Sequence, residues 1–272
     1  LQQRRLTESD FDQVRRDLEP VADLAARLDD RAAAVADYRE AYAAVRRRHT
    51  EVGEAIADLE RLQRLGEADL DAPVEALRDP IETYDEAVTE AFQTFRTERP
   101  AREVLEFLLD VDVFPLVPFE TPPDDLADYL RRSAAGDESI PHLLELAEYS
   151  RSKLDHYVDD PDRLKRTVAT QQTFFRRLDA DPLTVGWPPP ARDHLAWRCR
   201  ELTSAVDRFA PDVVEDLRAV ADRCRREDYD RLRESAVARD ELTEAERERL
   251  ERGDVESDLE SLRAERRELA EA

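Results

Sequence analysis

The segment from Val21 to Gly66 reads VADLAARLDDRAAAVADYREAYAAVRRRHTEVGEAIADLERLQRLG and follows a heptad pattern. With Val21 at position a and Leu24 at position d, ten of the thirteen a and d positions up to Gln63 are apolar. Most of the residues between them are Asp, Glu, Arg or Ala. A heptad repeat of this length predicts one long helix of roughly 65 Å, with a narrow apolar seam that requires a partner helix.

Polar side chains occupy the other three positions of this seam, Arg31, His49 and Gln63. His49 occupies an a position, where a single polar residue more often sets the register of a coiled coil than performs chemistry. We therefore expect His49 to be packed or to set the register. Arg31 occupies a d position, and we expect its stem to lie along the seam or its charge to pair across it.

The composition is strongly acidic. The 272 residues include 66 Asp and Glu against 42 Lys and Arg, a formal net charge of −24, and only Lys153 and Lys165 are lysines. Dense carboxylates keep a surface hydrated when the Debye length has fallen to about 3 Å in molar salt. An alternative is an acidic partner for basic proteins or a mimic of nucleic acid. The acidity is spread over every segment of the chain, which favours adaptation to salt.

Composition and layout together resemble a coiled-coil protein from the cytoplasm of salt-accumulating haloarchaea; no family motif carries this resemblance. No run of 18 apolar residues is present, so we expect no membrane span. The first ten residues, LQQRRLTESD, have no apolar core and do not read as a secretory signal. The two cysteines, Cys199 and Cys224, suit a reducing cytoplasm and are predicted to be buried free thiols.

Residues 1–99 are predicted to form N-terminal coiled-coil helices. Thr7 or Ser9 would cap the first helix, and Pro20 is expected to kink the chain or to begin a new helix. A second helix is expected to begin at Asp79-Pro80, with the aspartate as cap and the proline in the first turn. It is predicted to be an antiparallel partner of the long helix.

Residues 100–190 contain eleven of the fifteen prolines and many aromatic residues. Proline in the first turn is typical of helix starts. The pattern predicts a compact helical head in which short helices lie near 100–110, 122–135, 140–158 and 161–178.

Residues 191–272 are predicted to form C-terminal coiled-coil helices and a charged tail. An apolar stripe runs from Leu195 to Cys224, with a kink or a break between two helices expected at Pro211. The tail has a capping box at Thr243 and a stop at Gly253.

The predicted fold class is therefore all-α, with long coiled-coil helices flanking a compact head rich in proline and aromatic residues. Antiparallel association of the flanks would place the head at one end of a stalk. This layout resembles that of chromosome-organising coiled-coil proteins with a hinge in mid-sequence. The chain lacks the terminal ATPase heads and the glycine-bearing hinge of those families.

The usual sequence signatures of catalysis and of cofactor or metal binding are not found. Only five glycines are present and neither lysine lies near one, which argues against a phosphate-binding loop. Glu-x-x-His, His-Glu-x-x-His and Cys-x-x-Cys motifs are absent as well. We therefore predict no catalytic, cofactor-binding or metal-binding residues, and we expect His142, His156 and His194 to be surface histidines.

One segment, residues 161–178, is locally basic. It has the cations Arg163, Lys165, Arg166, Arg176 and Arg177 against a single acid, Asp162. This face is predicted either to dock on the protein's own carboxylates or to bind an acidic partner. Leu164, Val168, Gln171, Phe175 and Leu178 should face the core.

Trp187 lies in the proline-rich segment VGWPPP and is a further candidate for partner binding. The alternative is a loop that its indole ring anchors on the head.

Three functions fit these observations. The first is a non-enzymatic interaction or scaffold protein that binds a protein partner, or itself, through its coiled coil. The second is a nucleic-acid-associated accessory protein that uses the basic segment. The third is an enzyme with a site in the helical head.

Overall fold

The computed structural model describes residues 8–154, 156–158 and 160–271. Its regular structure in these residues is helical, as the sequence predicts, and the only β-type pairing there is an isolated bridge between Pro100 and Ser139. None of the described helices is long and apolar enough to cross a membrane. The helices are α1 (Glu8–Gly66), α2 (Glu75–Glu98), α3 (Ala101–Val111), α4 (Asp124–Arg132), α5 (Ile140–Glu148), α6 (Arg151–Leu154), α7 (Pro161–Thr167), α8 (Gln172–Arg177), α9 (Arg192–Val206), α10 (Val214–Cys224), α11 (Tyr229–Glu241), α12 (Glu244–Glu251) and α13 (Asp254–Glu271), with short 3₁₀ helices at Ala134–Asp137, Asp181–Leu183 and Pro211–Val213.

The chain divides into two compact units. The first, which we call the α1 unit, combines residues 1–67 with residues 243–272. The second, the central unit, is formed by residues 68–242. This division differs from the predicted segments 1–99, 100–190 and 191–272, because α2 and helices α9 to α11 belong to the central unit.

Helix α1 has 59 residues, which corresponds to about 88 Å. It continues through Pro20, where the sequence predicts a kink or a new helix. Proline leaves the carbonyl four residues earlier without its donor, but this part of α1 is exposed, so water can hydrate that group. The predicted cap Thr7 lies outside the described residues, and Ser9 lies inside α1.

Helices α12 and α13 pack against the C-terminal part of α1. Gly66 lies against Leu250 of α12, while Arg48 of α1 pairs with Glu265 of α13 at 2.6 Å. The partner's residue number rises as the α1 number falls, so α13 runs antiparallel to α1. The pair buries an apolar seam formed by Val52, Ile56, Leu62, Val255 and Leu259.

The prediction that the second helix is an antiparallel partner of the long helix is wrong. Helix α2 packs mainly against α10 in the central unit. It begins at Glu75, so Pro80 lies inside the helix rather than in its first turn. The carbonyl of Ala76, which the missing Pro80 N–H leaves free, accepts a hydrogen bond from Arg223 Nε at 2.9 Å instead.

The predicted C-terminal rod is not continuous in the structure. A 3₁₀ turn at Pro211–Val213 separates α9 from α10, and the two helices fold back on each other. The predicted break at Pro211 is confirmed. Cys199 and Cys224 are both buried and free, as predicted. The predicted capping box at Thr243 is also present, and Gly253 ends α12 with a φ of +77°.

The core of the central unit contains a cluster of five phenylalanine rings. Neighbouring ring centroids lie 5.2 to 6.3 Å apart, in tilted and edge-on arrangements. Such aromatic pairs stabilise the fold by more than the apolar area that they bury would give. The five residues are Phe92, Phe95, Phe107, Phe119 and Phe209.

Two of the predicted head helices are each split into two. The predicted helix 140–158 is α5 and α6, and the predicted helix 161–178 is α7 and α8. Between α7 and α8, Thr167 Oγ1 donates to the carbonyl of Arg163 at 2.7 Å and Thr170 Oγ1 donates to that of Arg166 at 2.5 Å. Hydroxyl groups that compete for backbone carbonyls weaken a helix, which explains the interruption.

Candidate interaction surface

The N-terminal part of α1 exposes a row of large apolar side chains. We call this row the open face. Its nine members have exposed fractions from 39% to 70%, although large apolar side chains in helices usually face a core. They are Phe11, Val14, Leu18, Val21, Leu24, Leu28, Val35, Tyr38 and Tyr42.

The six members of the open face from Val21 to Tyr42 and the buried Val52 and Ile56 belong to one heptad pattern. Val45 is partly buried and Val52 is fully buried, so cover by α12 and α13 begins near this point. Helix α13 has only 18 residues, which is too short to reach the rest of the pattern. The chain therefore supplies a partner for one end of α1 and leaves the other end without one in the described residues.

Two of the polar seam residues, His49 and Arg31, are exposed in the structure. His49 lies outside the packed contact, so the expectation that it is packed is wrong within the described chain. Arg31 is also exposed and forms no ion pair with a described residue. Arg31 lies in the part of α1 that α13 does not reach, whereas His49 lies beside Arg48, which pairs with Glu265 of α13, and points away from the packed seam.

The charged side chains around the open face are largely unpaired. Among the described residues from 11 to 47, the only ion pair between side chains joins Arg15 and Asp12 at 3.4 Å. In the packed part of α1, by contrast, Arg48 pairs with Glu265 and Glu60 pairs with Arg263 at 2.7 Å. Charges near the open face are therefore available to a partner.

The five cations of the predicted basic segment have different surroundings. Arg163 lies over the ring of Tyr129, 5.4 Å from its centroid. Lys165 donates to the carbonyl of Ala147 at 2.6 Å, and Arg176 donates to Gln172 Oε1 at 3.3 Å.

The side chains of Arg163, Arg166, Arg176 and Arg177 are exposed. In the part of the chain that the structure describes, no ion pair joins these arginines or Lys165 to a carboxylate. The internal carboxylate network that the sequence favours is thus not found there. The apolar side of the segment does face the core: Leu164, Val168, Phe175 and Leu178 are buried and Gln171 is half-buried.

Trp187 is half-buried and packs on the core of the central unit. The guanidinium of Arg78 lies 4.7 Å from the centre of its indole ring. Asp85 fixes the loop before it, because its carboxylate accepts hydrogen bonds from Val185 N at 2.7 Å and Gly186 N at 2.9 Å. This geometry is that of an anchored loop.

A cleft of about 400 Å³ opens between α4, α5 and α7. Tyr129, His142 and Arg163 line it, and burial raises the pKa of the Tyr129 phenol. His142 Nε2 lies 3.8 Å from Glu138 Oε2, and its Nδ1 lies 3.8 Å from Glu145 Oε2. Among the residues described by the structure, no group of three or more His, Cys, Asp or Glu side chains is arranged to hold a metal ion. His156 and His194 are exposed, as expected.

The residues of the open face are not among the six predicted for partner binding. A signal for them was present in the sequence: the apolar pattern continues for about 45 residues, whereas the last helix could cover less than half of it. Trp187 belongs to the central unit and the open face to the α1 unit.

Comparison with known proteins gives one match. A family model described as "Domain of unknown function (DUF7118)" matches residues 1–272. Curated proteins and solved structures give no match.

Proposed function

We propose that this chain, which belongs to the DUF7118 family, is a non-enzymatic interaction or scaffold protein. Its open face would bind a partner helix as a coiled coil. The observation that carries this proposal is the nine-residue apolar row on α1, exposed where the intramolecular cover ends. The central unit, with its own large core, is a folded body that such a contact would bring to the partner.

The energetics of an isolated helix support this assignment. Helical segments without tertiary contacts gain little stability from propensity alone, and most helical stability in proteins comes from packing of an apolar face. Residues 8–44 of α1 have no such packing in the described chain. A partner helix on the open face would supply it, and each Leu, Val or Phe side chain fully covered contributes about 1.5–3 kcal/mol.

Site-specific photo-cross-linking in cells that make the protein tests the proposal. A photoreactive amino acid replaces Leu24 or Leu28 on the open face, and in matched controls it replaces Ala26 or Ala33 on the opposite side of α1. We expect covalent adducts from positions 24 and 28 and few from 26 and 33. Equal yields from both pairs, or no adducts at all, would contradict a helix-binding face.

We also propose that the protein works in a salt-rich cytoplasm, because its charge of −24 is spread along the chain. Lowering salt from molar to about 0.1 M lengthens the Debye length from about 3 Å to about 10 Å and strengthens the repulsion among carboxylates. We expect the melting temperature to fall over this range. A constant melting temperature would contradict adaptation to salt.

A second candidate function is binding of an acidic partner such as nucleic acid by the basic segment. It is supported by four exposed arginines that have no carboxylate partner among the described residues. Binding through phosphates releases counterions, so the affinity should fall steeply with salt. The test is the triple variant Arg163→Glu, Arg166→Glu and Arg177→Glu in an anisotropy assay with labelled DNA.

A matched control carries the same change in charge elsewhere in the central unit, at Arg200→Glu, Arg218→Glu and Arg226→Glu. If the basic segment is the site, the first variant loses DNA binding with its circular dichroism unchanged, and the control keeps most of it. Equal loss in both variants would show that only net charge matters.

A further inference from the structure

We propose that the partner of the open face is a second copy of this chain, bound with the two α1 helices antiparallel. This inference rests on the proposed function, since it names the occupant of the same face. Three observations carry it: the continuity of the face with a packed seam, its area, and the distribution of charge along α1.

The open face continues an interface that the chain already forms. Val52 and Ile56 occupy d and a positions of the heptad pattern and are buried against α13, and Leu24 and Leu28 occupy the equivalent positions farther along the same helix. One end of this apolar heptad face therefore already packs against a helix of the same chain. A second copy of α1 offers a matching heptad face of sufficient length for the other end.

The area is large enough for a specific contact. Nine half-exposed apolar side chains from each of two copies would remove about 1,000 Å² of apolar surface from water. This is near the size above which protein interfaces become specific. Alanines dominate the flanking positions, and Ala25 and Ala32 are examples, so two helices can approach closely along this face.

The charges select the orientation. Residues 11–30 contain six acidic and three basic side chains, a net −3, whereas residues 31–47 contain two acidic and four basic side chains, a net +2. An antiparallel pair centred between these segments places each acidic half beside the basic half of the other copy. A parallel pair places like charges together, which is unfavourable.

Arg31 gains a partner in this arrangement. It lies at the centre of the overlap, and in an antiparallel pair it faces residues 28–30 of the second copy, which include two aspartates. The two-fold axis repeats the contact on the other side. An isologous contact of this kind is closed, so it produces a dimer rather than a filament.

The first experiment measures mass by light scattering during size-exclusion chromatography of the full chain. We expect the wild-type protein to elute with twice the chain mass of 31.4 kDa. The variant Leu24→Glu with Leu28→Glu should elute as a monomer, because the charges lie in the seam. The control Ala26→Glu with Ala33→Glu adds the same charge on the opposite side of α1 and should remain a dimer.

Tryptophan fluorescence shows whether a variant that elutes as a monomer still has a folded central unit. Both tryptophans, Trp187 and Trp197, lie in the central unit, so an unchanged spectrum shows that the seam substitutions have not unfolded it. A wild-type monomer at all concentrations up to about 100 µM would overturn the second copy as partner. If the photo-cross-links at positions 24 and 28 are then found on another protein, the proposed function stands and only its occupant changes; if none form, both fall.

The second experiment measures orientation by electron–electron distances between spin labels. Labels are attached to Asp12→Cys and, separately, to Ala33→Cys, both on the outer side of α1. In the antiparallel dimer the labels at position 12 should lie about 50 Å apart and those at position 33 within about 30 Å. Short distances at both positions would show a parallel pair and overturn the antiparallel arrangement.

Discussion

Two regions of this chain place the same types of side chain in opposite surroundings. In the central unit Phe92 is 1% exposed and Tyr84 is fully buried, whereas on α1 Phe11 is 57% exposed and Tyr38 is 70% exposed. All four lie on helices with apolar residues at intervals of three and four. The difference arises from cover: several short helices surround α2, while the described chain supplies no helix for residues 8–44 of α1.

This contrast shows that an apolar pattern specifies a face and not its partner. In the central unit the partners lie within the same 175-residue segment, so folding and burial occur together. On α1 the pattern is complete but the intramolecular partner ends early. The following substitutions, from the largest expected effect to the smallest, test whether the two regions differ in energy as they differ in exposure.

Substitution of Phe92 by Ala should have the largest effect. Its ring contacts four other phenylalanines in the core, and large-to-small changes at such sites cost about 3–5 kcal/mol. Denaturant unfolding followed by tryptophan fluorescence reports on the central unit alone. The matched change Phe11→Ala should alter that transition by less than about 0.5 kcal/mol. Similar effects of the two substitutions would contradict the distinction.

Within α1, substitution of Ile56 by Ala should cost about 2–4 kcal/mol, because it leaves a cavity between α1 and α13. The matched change Leu28→Ala lies on the open face and should cost far less in dilute protein. Unfolding followed by circular dichroism at 222 nm, at a concentration where the chain is monomeric, gives both values. If Leu28→Ala costs as much as Ile56→Ala, residues 8–44 are covered within the chain.

Asp85 provides an intermediate effect in the central unit. Substitution by Asn removes a charged acceptor from two backbone donors and should cost about 1–3 kcal/mol. Denaturant unfolding of Asp85→Asn beside the wild type measures this loss. The matched change Glu86→Asn replaces the adjacent exposed carboxylate and should cost less than about 0.5 kcal/mol.

The effect of Asp85 should also depend on pH. Burial raises the pKa of this carboxyl above its ordinary value near 3.8, against the effect of the two hydrogen bonds. At pH values between the ordinary and the raised pKa, the folded state therefore binds more protons at this carboxyl than the unfolded state does. The stability of the wild type relative to Asp85→Asn should decrease as pH rises from about 4 through the raised pKa, and then level off. An increase over this range would contradict the direction of the shift.

The smallest effect is expected at the cap of α12. Thr243 Oγ1 accepts a hydrogen bond from Glu246 N at 3.3 Å, and loss of such a cap costs about 1 kcal/mol. Thr243→Ala should lower the stability of the α1 unit by this amount, as measured by circular dichroism. Thr50→Ala, a threonine inside α1, should be neutral or slightly stabilising because its hydroxyl bonds to a carbonyl of its own helix. Equal losses in the two variants would rule out a capping role.

Much of the local structure can be predicted from the sequence. The capping box at Thr243, the stop at Gly253 and the break at Pro211 are all present where the residues indicate them. Each of these features depends on hydrogen bonds or backbone angles within a few residues. A short segment of sequence therefore contains all the residues that determine it. The buried side of residues 164–178 was likewise predictable, because a 3–4 apolar spacing defines one side of a helix.

The positions of the prolines in helices were less predictable. Pro80 lies inside α2 because Arg223, 143 residues later in the chain, satisfies the carbonyl that proline leaves free. Pro20 lies inside α1, where water can hydrate the equivalent group. A local rule that proline starts a helix cannot include a donor from a distant helix or the exposure of the site.

The sequence by itself determined that this protein is helical, that α1 carries a heptad face, and where several helices begin and end. Only the tertiary structure decided that α13, and not α2, pairs with α1, that α9 and α10 fold into the central unit, and that residues 11–42 of the face stay open. The physical reason is that an apolar stripe attracts any complementary stripe. The choice among them depends on the lengths, breaks and contacts of helices far apart in the chain, which no local pattern records.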